Sequence, residues 1–324
     1  MNNEVKLEIR DMTKKYKNGD GVENINLKVK TGELVTLLGP SGCGKTTILR
    51  TIGGFLECTA GSILIDDKHI EDLPPEKRPT AMVFQSYNLW PHMTVFENME
   101  FGLKLRKIPK AERHRLINDM ASLVKISGME KKYPGQMSGG QQQRVAIARS
   151  LLLKPDVLLM DEPFSALDAK IRSQMREELR KIQLDLNITV VFVTHDQEEA
   201  MALSDRIVVM NKGCFEQIGT PSEIYEKPAT RYVAEFIGDM NFIELKDKTL
   251  AVRPENINIS QDGLEGIEGS VRAVMILGHY TEITLDTEHG ILKVFLTGEA
   301  LQSLHPGKKA KLAFSKAIEF PKSK

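Results

Sequence analysis

Three short segments of this 324-residue chain hold residue types whose spacing could do phosphate chemistry. GPSGCGKT, Gly39 to Thr46, fits G-x-x-x-x-G-K-[ST]. Gly39, Gly42 and Gly44, with Pro40, Ser41 and Cys43 between them, let the backbone wrap closely, so that N–H groups point at phosphates. Lys45 brings a point charge to the β- and γ-phosphates of a nucleotide. The Thr46 hydroxyl is set to ligate Mg²⁺, and Thr47 continues the same phosphate-binding turn. In LLMDEP an apolar run ends in adjacent carboxylates. Asp161 can hold Mg²⁺ through water, and Glu162 can accept a proton from an attacking water. The third segment, MSGGQ, carries Ser138, Gly139, Gly140 and Gln141 ahead of a helical pattern. Bare backbone at a helix N-terminus is an anion site, and Ser138 also suits an N-cap. A chain with a single P-loop offers this turn no second phosphate of its own. A two-fold pairing with a second copy, whose nucleotide the turn would cap, resolves that.

Elements of a definite kind must hold these residues. Leu34–Leu38, Val157–Met160, Thr189–Val193 and Arg206–Met210 are short continuous apolar runs, as expected of strands buried on both faces of a parallel sheet. The first run leads into the P-loop, which opens a helix at Lys45–Arg50. Lys170–Leu186 aligns Ile171, Met175, Leu179 and Ile182 on one helical stripe. Strands alternating with helices predict an α/β architecture, and the GPSGCGKT loop set on it predicts a fold of the P-loop NTPase type. Residues 103–132 are basic and helical in pattern, with no strand signal. With the MSGGQ segment they predict a helical subdomain inserted at about 86–153. After Gly238 the pattern changes. SVRAVMIL, TEITLDT and GILKVFL alternate apolar and polar residues between turns, so 239–324 reads as a small antiparallel all-β domain, OB-like in character. Its Lys-rich end, Lys308 to Lys324, reads as a soluble tail.

Composition narrows the function classes. The 44 basic and 44 acidic residues balance, so nothing global points to nucleic acid or an acidic substrate. The apolar runs are far too short to span a bilayer, and the start, MNNEVKLEIR, lacks the apolar stretch of a signal peptide. Cys43, Cys58 and Cys214 are widely spaced and read as reduced thiols of a cytosolic protein. Any membrane link would then pass through partner proteins. Cys43 lies among backbone N–H groups beside a helix start and Lys45, a setting that favours a reactive thiolate.

Taken together, these motifs resemble those of the ATP-binding subunit of an ABC transporter. GPSGCGKT resembles the Walker A motif, MSGGQ the signature and VLLMDEP the Walker B motif with its following glutamate. SALD, Ser165–Asp168, resembles the D-loop, Gln85 in VFQSY the Q-loop glutamine, and His195 in VTHD the switch histidine. Met137 stands where leucine is usual, a change between two apolar residues unbranched at Cβ. The resemblance implies ATP and Mg²⁺ as ligands, with Glu162 and His195 catalytic and Thr46, Gln85 and Asp161 contacting the metal. It implies that Tyr16 stacks on adenine with Val22 touching the base, and that Gln85 also links to a transmembrane permease. His195 would reach the γ-phosphate from a strand beside the P-loop strand. The region around Trp90 and Phe96 would receive a coupling helix of that permease. RPENI, Arg253–Ile257, begins a stretch that resembles the TOBE-type domain of import ATPases. The implied function is energising import of a small solute of polyamine, ferric-iron, phosphonate or sugar type. It would do so at the cytoplasmic face of the membrane, with an external solute-binding protein acting indirectly. Single-unit length and the lack of extended heptads stand against ribosomal and DNA-repair relatives of the fold, and MSGGQ against kinases and GTPases.

Overall fold

The architecture comes from a computed structural model that describes residues 4–260, 266–297 and 304–321. The chain divides into two compact units, Met1–Pro221 and Ser222–Lys324. In chain order the first unit runs β1 (Val5–Lys15), β2 (Gly21–Lys30), β3 (Leu34–Leu38), α1 (Lys45–Ile52), β4 (Ala60–Ile65), β5 (Lys68–His69) and β6 (Thr80–Val83). It continues through α2 (Val95–Leu105), α3 (Lys110–Leu123), α4 (Gly139–Leu151), β7 (Val157–Asp161), α5 (Ala169–Leu186), β8 (Thr189–Thr194), α6 (Gln197–Leu203), β9 (Arg206–Asn211) and β10 (Cys214–Gly219).

The apolar runs form the centre of a six-stranded sheet, ordered β10-β9-β3-β8-β7-β6. Its pairings from β9 to β6 are parallel, and every residue of β3, β7 and β8 is buried. Helices cover such a sheet on both faces, so uninterrupted Val, Leu and Ile satisfy it. Register then matters for the chemistry. Leu38 pairs with Thr194 and Asp161 with Val193, so the carboxyl ends of β3, β7 and β8 finish level. In open α/β sheets that edge is where ligands bind.

A second sheet, β2-β1-β4-β5, is antiparallel and was not legible as a unit from the sequence. Its buried Leu7, Ile9, Val22 and Ile63 join Ile48 and Leu49 of α1 in one core cluster, so it clamps the helix that follows the P-loop. Between β6 and β7 the chain is helical. Val95, Met99, Leu103, Ile117, Val145 and Ala148 from α2, α3 and α4 build a separate core there, and Met137 is buried with them.

The second unit holds α7 (Pro221–Glu226), α8 (Arg231–Phe236), β11 (Asn241–Glu244), β12 (Lys248–Val252), β13 (Ile257–Ser260), β14 (Ile267–Ile276), β15 (Thr281–Thr287), β16 (Gly290–Leu296), β17 (Lys309–Phe314) and β18 (Ile318–Pro321). Its strands make antiparallel sheets β11-β12-β18 and β13-β17-β14-β15-β16. The division falls earlier in the chain than the change of pattern at Gly238. The reason is Arg253, wholly surrounded by protein. Its guanidinium donates to the carbonyls of Tyr225, Ile237 and Asp239 and lies 4.1 Å over the Tyr225 ring, which binds α7 and α8 to the end of β12. The Lys-rich end is also not a tail. Ala310 and Leu312 of β17 turn inward while their lysine neighbours turn outward, the period-two pattern of a strand; residues 322–324 lie outside the described residues.

Candidate functional site

The loop between β3 and α1 starts tight. A Cβ on Gly39 would come within 2.6 Å of the Met210 carbonyl oxygen, so no larger residue fits. Gly42 and Gly44 take φ of +81° and +103°, the left-handed region where side chains are strained, and a Cβ on Gly44 would meet Val22 Cγ1 at 2.3 Å. Gly44 begins α1 without a side-chain cap. The first-turn N–H groups of that helix therefore have no acceptor from a capping residue, an arrangement that fits an anion. Lys45 folds back over the loop, its Nζ donating to the carbonyls of Gly39 at 2.7 Å and Pro40 at 2.9 Å.

A cleft of about 250 Å³ lies against this loop. Ser41, Gly42 and Gly44 to Thr47 line it from the loop, Tyr16, Asp20 and Gly21 from the β1–β2 turn, and Glu162 from the end of β7. Thr46 Oγ1 donates to Asp161 Oδ1 at 2.9 Å. A hydroxyl beside a carboxylate is a hard-oxygen pair suited to Mg²⁺. Asp161 is almost wholly buried, and burial lifts its carboxyl above the ordinary range although Thr46 and Arg50 pull it down. Glu162 sits at φ +43°, a left-handed conformation that costs about 1–3 kcal/mol and is held where function needs it. Its Oε2 lies 3.2 Å from His195 Nδ1, and Gln85 Nε2 approaches the same oxygen at 3.4 Å and Ser165 Oγ at 3.3 Å. Gln85 is thus turned toward Glu162 and Ser165 rather than toward the Thr46–Asp161 pair.

Two sequence expectations are corrected. Val22 has no exposed surface; its side chain packs beneath Gly44 and supports the cradle from below, where it cannot touch a base. Cys43 is 3% exposed, and burial, the largest influence, pushes its thiol pKa up despite Lys45 Nζ at 3.9 Å from the sulfur. Desolvation outweighs the nearby charge, so the reactive-thiolate reading fails. Cys214 is the exposed thiol. A maleimide is therefore expected to label Cys214 first, with Cys214→Ser removing the fast phase seen by mass spectrometry; rapid labelling of Cys43 would contradict its burial.

Tyr16 is half-exposed, its hydroxyl 3.2 Å from Thr47 Oγ1 and its ring on the cleft. Base stacking on an aromatic is worth ~1–3 kcal/mol, and the lower end applies to a ring this open, so Tyr16→Ala should weaken ATP binding about fivefold. A lowered maximal rate at unchanged half-saturation would instead make Tyr16 a structural residue.

The MSGGQ turn stands away from the cleft: none of Ser138 to Gln141 lines it. Ser138 caps α4 and Gln141 returns the bond, a complete capping box. The glycines also have a packing reason that the sequence did not reveal. A Cβ on Gly139 would lie 3.2 Å from Leu167, and one on Gly140 3.0 Å from Ile171. Trp90 and Phe96 are partly buried, Trp90 against Phe101 at 4.5 Å and under Arg149, Phe96 against His114 at 4.8 Å. Sequence reasoning missed Asp20 and Gly21, which only the β1–β2 turn brings to the cleft, and Arg172, whose partners lie in two other loops.

A glycine cradle, a Thr–Asp pair and a Glu–His pair at the carboxyl ends of adjacent parallel strands define a P-loop nucleoside-triphosphate hydrolase. The family described as ABC transporter matches residues 22–165, and the TOBE domain family matches 250–317. The spermidine/putrescine import ATP-binding protein PotA of Bacillus anthracis is 47% identical over 277 residues, covering 86% of this chain and 83% of its own. That of Thermobifida fusca is 45% identical over 321 residues, covering 86% and 84%. Among solved structures, CbiO1 of Clostridium perfringens, part of the ABC transporter complex CbiONQ, superposes with a TM-score of 0.64 at 30% identity over 68% of this chain and 91% of its own. An ATP-binding cassette solved as a dimer in a post-hydrolysis state with ADP and Pi gives 0.60 at 34% identity, over 66% and 98%. The chain belongs to the ABC transporter family, as an ATP-binding and ATP-hydrolysing subunit.

Proposed function

We propose that this ATPase energises import of a polyamine of the spermidine or putrescine class, working as a pair of copies beneath a membrane permease. The polyamine assignment rests on likeness to the import proteins of that name over 86% of the chain. An external binding protein would hand the solute to the permease. Among the described residues no helix is long and apolar enough to cross a membrane; attachment at the cytoplasmic face would go through the permease.

The observation that carries the paired mechanism is the separation of the MSGGQ turn from its own cleft. In the pair, Ser138 to Gln141 of one copy cover the phosphates held by the other. Backbone N–H groups at Gly42, Gly44, Lys45 and Thr46 hold the phosphates, and Lys45 exchanges its bonds to the Gly39 and Pro40 carbonyls for phosphate oxygens. Thr46 and Asp161 would hold Mg²⁺, which when bound neutralises charge on the β- and γ-phosphates. Glu162 takes a proton from water as its oxygen bonds the γ-phosphorus and the bond to the bridging oxygen breaks. His195 orients Glu162 and faces the γ-phosphate; Gln85 joins Glu162 to the loop leading to Trp90. Tyr16 carries the adenine.

Uptake of labelled spermidine and putrescine should stop in cells whose only copy carries Lys45→Ala and return with the parent sequence. Undiminished polyamine uptake, with loss of uptake of a sugar, ferric iron or a phosphonate instead, would move the cargo assignment to that solute.

A further inference from the structure

One guanidinium spans the two loops that flank the catalytic edge. Arg172 stands one turn into α5. Its Nη1 donates to Asp196 Oδ2 at 2.9 Å and its Nη2 to the Leu167 carbonyl at 3.1 Å. Its Nε lies 3.8 Å from Glu199 Oε1. Asp196 directly follows His195 and caps α6 by accepting from the Glu199 N–H at 3.1 Å, so its side chain fixes where the histidine loop ends. Leu167 belongs to the loop between Glu162 and α5. Its buried side chain is the surface on which Gly139 packs, and the neighbouring Ile171 receives Gly140.

A continuous set of contacts therefore runs from the Glu162–His195 pair, through Asp196, Arg172 and Leu167, to the MSGGQ turn. The first end faces the copy's own nucleotide. The second, on the paired mechanism above, faces the nucleotide of the other copy. A Cβ on either glycine would be crowded by Leu167 or Ile171, so the turn rests directly on these side chains and a shift of Leu167 presses on it. A planar fork can hold two acceptors in fixed directions, whereas an ammonium offers one point charge.

We infer that Arg172 is a positioning residue that ties the histidine loop to the MSGGQ turn, and so makes ATP hydrolysis at the two clefts of a pair cooperative. This rests on the paired reading, and the test separates the two. Hydrolysis by the full chain is followed against ATP concentration for the parent, Arg172→Lys and Asp196→Asn. Lysine keeps the charge but not the fork; asparagine keeps the helix cap but not the ion pair. Each should lower the Hill coefficient from a value between about 1 and 2 to about 1, the limit for independent sites. Combining them should lower it no further, because they break one connection. A purely structural role would lower the melting temperature and the rate while leaving the coefficient as it was. A parental coefficient of 1, or one that neither substitution changes, overturns the inference. Subunit mass is measured alongside for Glu162→Gln and Glu162→Gln/Arg172→Lys with ATP. Pairing in both, with cooperativity unchanged by Arg172→Lys, rejects the Arg172 role alone; no pairing in either rejects the paired reading and this inference with it.

Discussion

Glu162→Gln is expected to bind ATP as the parent does, to lose nearly all hydrolysis, and to persist as an ATP-bound pair. Glutamine keeps the shape at a position already held at φ +43°, and its amide oxygen can still face His195 Nδ1, 3.2 Å away in the parent. What it cannot do is take a proton from water. General-base catalysis contributes on the order of 10²–10⁴-fold, so phosphate release should fall by about that factor. Lys45, Thr46 and the loop glycines are untouched, so nucleotide affinity should hold. With ATP no longer consumed, the contacts across the pair are not released. Light scattering with Mg-ATP should report twice the subunit mass, falling to one after EDTA and dilution. A variant that still hydrolyses within about tenfold of the parent would remove Glu162 from the role of base. A variant that binds ATP fully yet keeps the mass of one chain would count against the paired site.

Asp161→Asn is expected to produce two opposed effects. If Asp161 holds Mg²⁺ through water, its loss should raise the half-saturating Mg²⁺ concentration for hydrolysis by about 10–100-fold, as for other outer-sphere partners of a metal. The free protein should meanwhile become more stable. Burial lifts the Asp161 carboxyl, so the folded chain keeps its proton at pH values where the unfolded chain has lost it. Stability therefore falls as pH rises from the ordinary carboxylate pKa through the raised one. Asparagine carries no such charge and can still accept from Thr46 Oγ1. The melting temperature without nucleotide should rise at neutral pH, and the gain should vanish as pH falls below the ordinary carboxylate range. A lower melting temperature with unchanged Mg²⁺ demand would show instead that the carboxylate serves only to anchor α1.

Much of the site was legible because it is local. The run from Gly39 to Thr47 contains its own strand end, turn and helix start, so the loop chemistry follows from residue types in order. Asp161 and Glu162 likewise close a strand whose burial five apolar or paired residues dictate. The resemblance extended this to Tyr16, Gln85 and His195, whose types alone would have meant little. Val22 and Cys43 were misjudged for one reason. A side chain next to a site in sequence can point into the core beneath it, and only the packed structure tells which way it turns.

The sequence by itself determined the chemical inventory: one phosphate loop, one acidic strand end, one capped glycine turn, and alternating strands and helices to carry them. Those properties reside in short-range spacing, where backbone geometry leaves few choices. Only the tertiary structure decided how they meet. Strand order β3-β8-β7, and its register, brings Glu162 to His195 across sequence gaps that no local pattern spans. The same packing keeps the MSGGQ turn out of its own cleft and sets it on Leu167, within the reach of Arg172. Long-range contacts of this kind depend on which buried faces fit one another, and that is a property of the whole core rather than of any segment.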